Sequence, residues 1–432
     1  MDHLGLDLGT TTISAAVLDA DGRLLCTRTV PGGAAVAGQP WERKQDARGI
    51  EHAALSLLDG LLQEFPDIGC VGLTGQMHGI VYVDAAGQLL SPLYTWQDET
   101  GAQPGPDGKS TAARLTERTG YPLASGYGLV TLACHQAAGC IPDGAAAVCT
   151  IADYLAMRLS GRSAPCLTPS MAASLGLFDG TGFDREAVRR AGLPERLLPE
   201  VSEEAELGGG RLRVFAALGD NQASFLGAGQ GRLDAPLVNI GTGSQFSFFT
   251  KERRTVPGLE TRPFPGGWLL TGAPLCGGRS FALLERFFRQ TAELVTGTPC
   301  PSAYPAMLRA LEAPMPDDVP QFRTTFAGTR QDPAERAVLS GLDEENFAPV
   351  PLLHALLRGM ADELSACYRA ALGAGCAPAG RLLGSGNGLR RNPALQRAVE
   401  RSFGLPLTLA AVPEEAACGA ALFARMQHEA AL

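Results

Sequence analysis

Gly5-Leu6-Asp7-Leu8-Gly9-Thr10-Thr11-Thr12, followed by Ile13, Ala15 and Val17, decides how the chain is read. Apolar residues alternate on both sides of a glycine-threonine tip, the pattern of a β-hairpin, and Asp21-Gly22 closes a further turn before Leu24-Leu25. The plan returns 232 residues later: Leu237-Val238-Asn239-Ile240, the tip Gly241-Thr242-Gly243-Ser244, then Phe246 and Phe248-Phe249. A glycine at such a tip lets backbone N–H groups approach phosphate oxygens without a Cβ in the way, and threonine hydroxyls add donors. Thr10, Thr11 and Thr12 in the first tip, and Gly241, Thr242 and Gly243 in the second, therefore read as two phosphate-binding turns. Asp7 lies two residues before the first tip. A carboxylate there reads as a holder of Mg²⁺ through water, or as a solvated strand-end acid.

A second pairing supports a duplicated chain. Cys70 to Gly79 (CVGLTGQMHG) and Arg381 to Leu389 (RLLGSGNGL) are each a short apolar strand opening into a glycine-rich loop. Helical runs alternate with strands, as from Leu352 to Leu372 before Leu382-Leu383, which predicts α/β layers in each half. Val214 to Leu218 reads as the last strand of the first half and Asp220 to Gly227 as its following helix. The expected domains are residues 1–228 and 229–432.

Composition narrows the partners. Of 432 residues, 45% are hydrophobic and 19% charged, the range of an ordinary globular protein with two cores. A net charge of −9 opposes binding to nucleic acid or an anionic membrane, which need a basic patch. The start Met1-Asp2-His3-Leu4 lacks a basic n-region, and no apolar run is long enough to span a bilayer, so the expected location is the cytoplasm. Eleven dispersed cysteines without Cys-x-x-Cys spacing read as reduced thiols. A homodimer is left open.

In order along the chain, GLDLGTTT, TGQMHG (Thr74 to Gly79), LYTWQDE (Leu93 to Glu99), LGDNQAS (Leu218 to Ser224) and NIGTGSQ (Asn239 to Gln245) resemble the FGGY family of carbohydrate kinases. FAGTRQDPAERAVLSGL (Phe326 to Leu342) and Leu382 to Leu407 are similar to the family's C-terminal landmark and adenosine loop. The resemblance implies an actin-like ATPase superfold: two duplicated ribonuclease-H-like domains, one binding sugar and one nucleotide, with a catalytic cleft between them. It implies ATP and Mg²⁺ as cofactors and a small-molecule sugar as substrate. A partner-moving actin-like ATPase is the rival class, but it would have no use for the TGQMHG and TWQD segments.

The chemistry agrees, since a sugar hydroxyl is a poor nucleophile and needs a base while the γ-phosphoryl is positioned. Asp220 is the candidate catalytic base; by position alone an acid there also reads as a helix-start residue. Gln76, Met77 and His78 are expected at the sugar, through hydrogen bonds and packing on the carbon skeleton. Trp96, Gln97 and Asp98 combine an aromatic face with polar groups, with a packed core residue as the lesser reading of Trp96. Asn221 and Gln222 are expected to orient the substrate. Gly277 and Gly278, with Arg279, line the nucleotide side or form a simple turn. Gly384, Ser385, Gly386, Asn387 and Asn392 are expected at the adenosine. Many relatives continue Trp-x-Asp with Gly-Arg, whereas Glu99-Thr100 stands here. Within the family the motif combination favours sedoheptulose, phosphorylated on its terminal primary hydroxyl, with xylulose the alternative.

Overall fold

The computed structural model describes residues 1–430 apart from Gly209, Cys276, Arg330, Gln331 and Pro333. Cys276 of the LCGGRSF stretch, and Arg330, Gln331 and Pro333 of the Phe326 to Leu342 landmark, thus lie outside the described residues. The chain divides into two compact units. The first holds Met1–Gly231, Pro263–Pro265 and Val412–Leu432, and the second Arg232–Arg262 and Gly266–Ala411.

In the first unit, β1 (Asp2–Leu8) and β2 (Thr12–Leu18) form the expected hairpin, with His3 opposite Leu18 and Leu8 opposite Ile13. With β3 (Leu24–Pro31), β4 (Ile68–Gly75), β5 (Glu206–Gly208) and β6 (Arg213–Phe215) the sheet order is β5-β6-β4-β1-β2-β3, and β7 (Leu218–Gly219) also pairs with β4. The expected strand from Val214 to Leu218 is therefore two pieces. Between them, Thr168 Oγ1 donates to Ala217 O at 2.7 Å, a side chain standing where a ladder partner would.

Helix α1 (Ala47–Glu64) buries Ile50, Ala54, Leu58 and Leu61, spaced to make one apolar face, and Asp46 caps it by accepting from Arg48 N. Helices α2 (Ile151–Ser160), α3 (Pro169–Leu175) and α4 (Asp220–Ala228) follow. The C-terminal helix, Glu415–Ala430, belongs to this same unit. Its seat is a row of small residues in register across three strands, Ala16, Gly5 and Gly72. A Cβ on Gly5 would stand 1.9 Å from Ala417 O, and one on Gly72 2.0 Å from Ala420 O. The strands β1 and β2 are thus covered closely, and β2 is buried at every position after Thr12.

The second unit repeats the plan. β8 (Leu237–Ile240) and β9 (Ser244–Thr250) form the second hairpin, β10 (Glu260–Phe264) and β11 (Gly267–Gly272) extend it, and β12 (Leu382–Ser385) and β13 (Leu407–Leu409) complete a sheet of order β10-β11-β9-β8-β12-β13. In both units a parallel strand flanks the hairpin's first strand: β4 beside β1, and β12 beside β8. Helices α5 (Gly278–Thr296), α6 (Pro349–Gly373), α7 (Asn387–Arg390) and α8 (Pro393–Phe403) surround it. Leu356, Met360 and Leu364 of α6 pack with Phe246, Phe248 and Leu270 of the sheet. The Phe248 and Tyr368 rings meet edge to face at 5.6 Å. Among the described residues no helix is long and apolar enough to cross a membrane.

Candidate active site

The first hairpin tip is held from outside by three side chains. Gln45 Nε2 donates to Thr10 O (2.7 Å) and Gly33 O (3.2 Å). Gln76 Nε2 donates to Gly9 O (3.3 Å) and to Gln45 Oε1 (2.8 Å). Trp96 Nε1 donates to Thr10 Oγ1 (3.1 Å), leaving the indole 47% exposed beside the tip; it is not a core residue. Thr11 and Thr12 are exposed. Gln45 was not among the expected residues. Its partners stand 12, 31 and 35 positions away, and no local pattern announces them.

β4 ends at Gly75, so Gln76, Met77 and His78 follow directly where the strand runs out. Met77 is buried and packs on Gly219, where a Cβ would lie 2.9 Å from its sulfur; the next residue, Asp220, begins α4. His78 has φ 73°. Its Nδ1–H donates to Ser174 O (2.7 Å), and its ring stacks on Tyr127 at 4.6 Å, so ring and tautomer are both set. The loop before Asp220 is pinned by α3: besides Thr168, Ser170 Oγ accepts from Gly219 N at 3.1 Å.

Asp7, the next-to-last residue of β1, is partly exposed. Burial, then the like charges of Asp220 and Glu414, push its carboxyl up to about 7. Among the described residues no cluster of three or more His, Cys, Asp or Glu has the geometry to hold a metal ion directly.

Two of the residues expected at the substrate also make hydrogen bonds within the protein, and a third is buried. Asp98 is 2% exposed, its two oxygens accepting from Arg43 N and Thr100 N, both at 3.0 Å, so it organises its own loop. Gln222 is fully buried, donating to Pro263 O at 3.0 Å. Asn221 is 6% exposed. Gln97, by contrast, is exposed.

In the second unit the glycine pair has a geometric reason. Gly278 N donates to Gly241 O (2.9 Å) and Arg279 N to Thr242 O (3.0 Å), seating the start of α5 on the second tip. A Cβ on Gly277 would lie 2.1 Å from Gly243 O, and one on Gly278 2.3 Å from Gly241 O. Gly386, at φ 87°, and Gly388 approach Ile240 O in the same way. Together these segments line a cavity of 840 Å³ that includes Gly241, Thr242, Gly278, Gly386, Asn387 and Asn392. Of its other walls, Phe281 follows Gly278 on α5, whereas Tyr304, Leu308 and Met360 come from helices distant along the chain and were not legible in the sequence. Gly384 and Ser385 lie buried inside β12 and do not line it. Asn392 caps α8, its Oδ1 accepting from Leu395 N at 3.1 Å.

The model for the N-terminal domain of the FGGY family of carbohydrate kinases matches residues 3–230, and that for the C-terminal domain residues 237–428. The chain is 29% identical to the sedoheptulokinase of Mus musculus over 479 aligned residues, covering 97% of this chain and 96% of that protein. It is 26% identical to the xylulose kinase of Streptomyces coelicolor over 454 aligned residues, covering 97% of this chain and 86% of that one. The crystal structure of a xylulose kinase from Rhodospirillum rubrum matches with a TM-score of 0.82 at 22% identity, covering 99% of this chain and 90% of the other, a likeness of fold. With both domains matched in order over nearly its full length, the chain belongs to the FGGY family of ATP-dependent carbohydrate kinases, a two-domain α/β fold of the actin-like ATPase superfamily.

Proposed function

We propose that the protein transfers the γ-phosphoryl group of ATP to a terminal hydroxyl of a ketose, with Asp220 as general base. The observation that carries this reading is the joining of Asp220 to the first hairpin within one unit. Met77 packs on Gly219 beside it, and the Asp220 charge acts on Asp7 at the end of β1. Asp220 accepts the proton of the attacking hydroxyl, and His78 and Trp96 present a hydrogen-bonding ring and an aromatic face to the sugar. The 840 Å³ cavity of the second unit takes the nucleotide, its glycines allowing close approach and its apolar walls taking the base. Mg²⁺ fits Asp7: two like charges crowd this carboxylate and no cation is among the groups acting on it. Asp7 would hold Mg²⁺, which would supply neutralisation of phosphate charge.

Sedoheptulose and xylulose are both supported as acceptors, the first by the relative from Mus musculus and the second by the one from Streptomyces coelicolor. The motifs shared by the two groups leave the class at ketose. A coupled ADP-release assay across four- to seven-carbon ketoses and polyols tests the reading. ADP release that no sugar stimulates would overturn it. The ratio of kcat/KM for sedoheptulose and xylulose assigns the acceptor, and a tenfold preference for xylulose would rule out a sedoheptulokinase.

A further inference from the structure

A nucleotide diphosphate or triphosphate brings several negative charges, and a site that binds it needs positive charge close by. Neither hairpin supplies any: residues 2–18 and 237–250 contain no Lys or Arg, nor does the glycine loop 384–388. Of the residues lining the 840 Å³ cavity, the charged ones are Arg279 and Arg391. Most arginines of this chain are tied to a carboxylate or a carbonyl. The guanidinium groups of Arg279 and Arg391 have neither among the described residues, and both residues are exposed.

The backbone decides which end of the cavity each arginine serves. Arg279 N is bonded to Thr242 O, which fixes the residue on the glycine-threonine tip. Arg391 follows α7 and precedes Asn392, which caps α8 next to the apolar Leu395 wall. We infer that Arg279 reads the diphosphate charge of the nucleotide, supplying to the second tip the cation that its own sequence lacks. This inference rests on the nucleotide reading of the cavity given above. A guanidinium suits the task because its planar fork can grip two phosphate oxygens at once.

Isothermal titration of the full chain with ADP and with adenosine, in EDTA, tests it for wild type, Arg279→Ala and Arg279→Lys. Arg279→Ala is expected to weaken ADP about tenfold or more while changing adenosine less than about twofold, because only ADP carries the charge it reads. Arg279→Lys recovers part of the loss, keeping the charge without the fork. The Ala variant also shows a shallower dependence of ADP affinity on salt. Equal weakening of both ligands, or unchanged ADP affinity, would overturn the role assigned to Arg279. A wild-type protein that binds neither ligand sinks the nucleotide reading of the cavity itself, a separate and recognisable failure. Exposure of Arg279 means the variants should melt close to wild type.

Discussion

Gln76 Nε2 donates to Gln45 Oε1 at 2.8 Å, and Gln45 Nε2 passes the link on to Thr10 O at 2.7 Å, so two buried amides tie the glycine loop after β4 to the tip of the first hairpin. The orientation of both amides is forced. Gln45 faces two carbonyls, of Thr10 and Gly33, and must turn its NH₂ toward them; its oxygen is then left for Gln76. Gln45→Ala leaves Thr10 O and the Gln76 amide without these partners, each worth about 1 kcal/mol or more when buried. Steady-state kinetics should show kcat/KM lower by about tenfold or more, with the fold intact by circular dichroism. Kinetics equal to wild type would mean that the hairpin tip is rigid without the relay.

Asp220→Asn keeps the size and helix position of the side chain but removes its basicity. A loss of at least about a hundredfold in kcat is expected, with nucleotide binding retained in titration. Turnover near that of wild type would show that the proton leaves by another route.

Asp153, which is not among the proposed site residues, provides a pH test. Its Oδ2 accepts from Thr150 Oγ1 at 2.7 Å, its Oδ1 is buried with no partner among the described residues, and burial pushes the carboxyl up to about 7. An unfolded aspartate titrates near 4, so between about pH 4 and 7 the folded chain holds a proton that the unfolded chain has lost. Stability from this group is therefore present at low pH and falls as pH rises through that window. Asp153→Asn removes the penalty. The variant's stability relative to wild type should grow between pH 5 and pH 8 by on the order of 2 kcal/mol, read from urea denaturation. A difference that does not change with pH would refute the argument.

Gly5→Ala tests the seat of the C-terminal helix. The new methyl meets backbone rather than a side chain that could swing away, since Ala417 O lies 1.9 Å from its position. A destabilisation of about 3 kcal/mol is expected by chemical denaturation. A much smaller loss would mean that the helix can lift from the sheet at little cost.

Where the determinants are local, the sequence could be read directly. The two hairpins, the strands before the glycine loops and the placement of Asp220 at a helix start all follow from alternation and glycine punctuation within about ten residues. Asp98 and Gln222 illustrate the opposite case. Their types suit sugar recognition, and in the fold Asp98 also accepts from the backbone N–H groups of Arg43 and Thr100 while Gln222 donates to Pro263 O. Part of that engagement comes from residues far along the chain, and a polar side chain does not declare whether its partner is ligand or protein. Gln45, Thr168 and Ser170 were missed for the same reason.

The amino-acid sequence by itself determined the duplicated hairpins, the α/β class and the kind of chemistry, because glycine tips, apolar alternation and the ordered motifs are properties of short segments. Tertiary structure alone decided that residues 412–430 return to the first unit, that Gly5 and Gly72 make room for their helix, and that Phe281, Tyr304, Leu308 and Met360 wall one cavity with the second tip. Those facts depend on which distant surfaces come within a few ångströms of each other. Close packing, rather than local propensity, sets those distances.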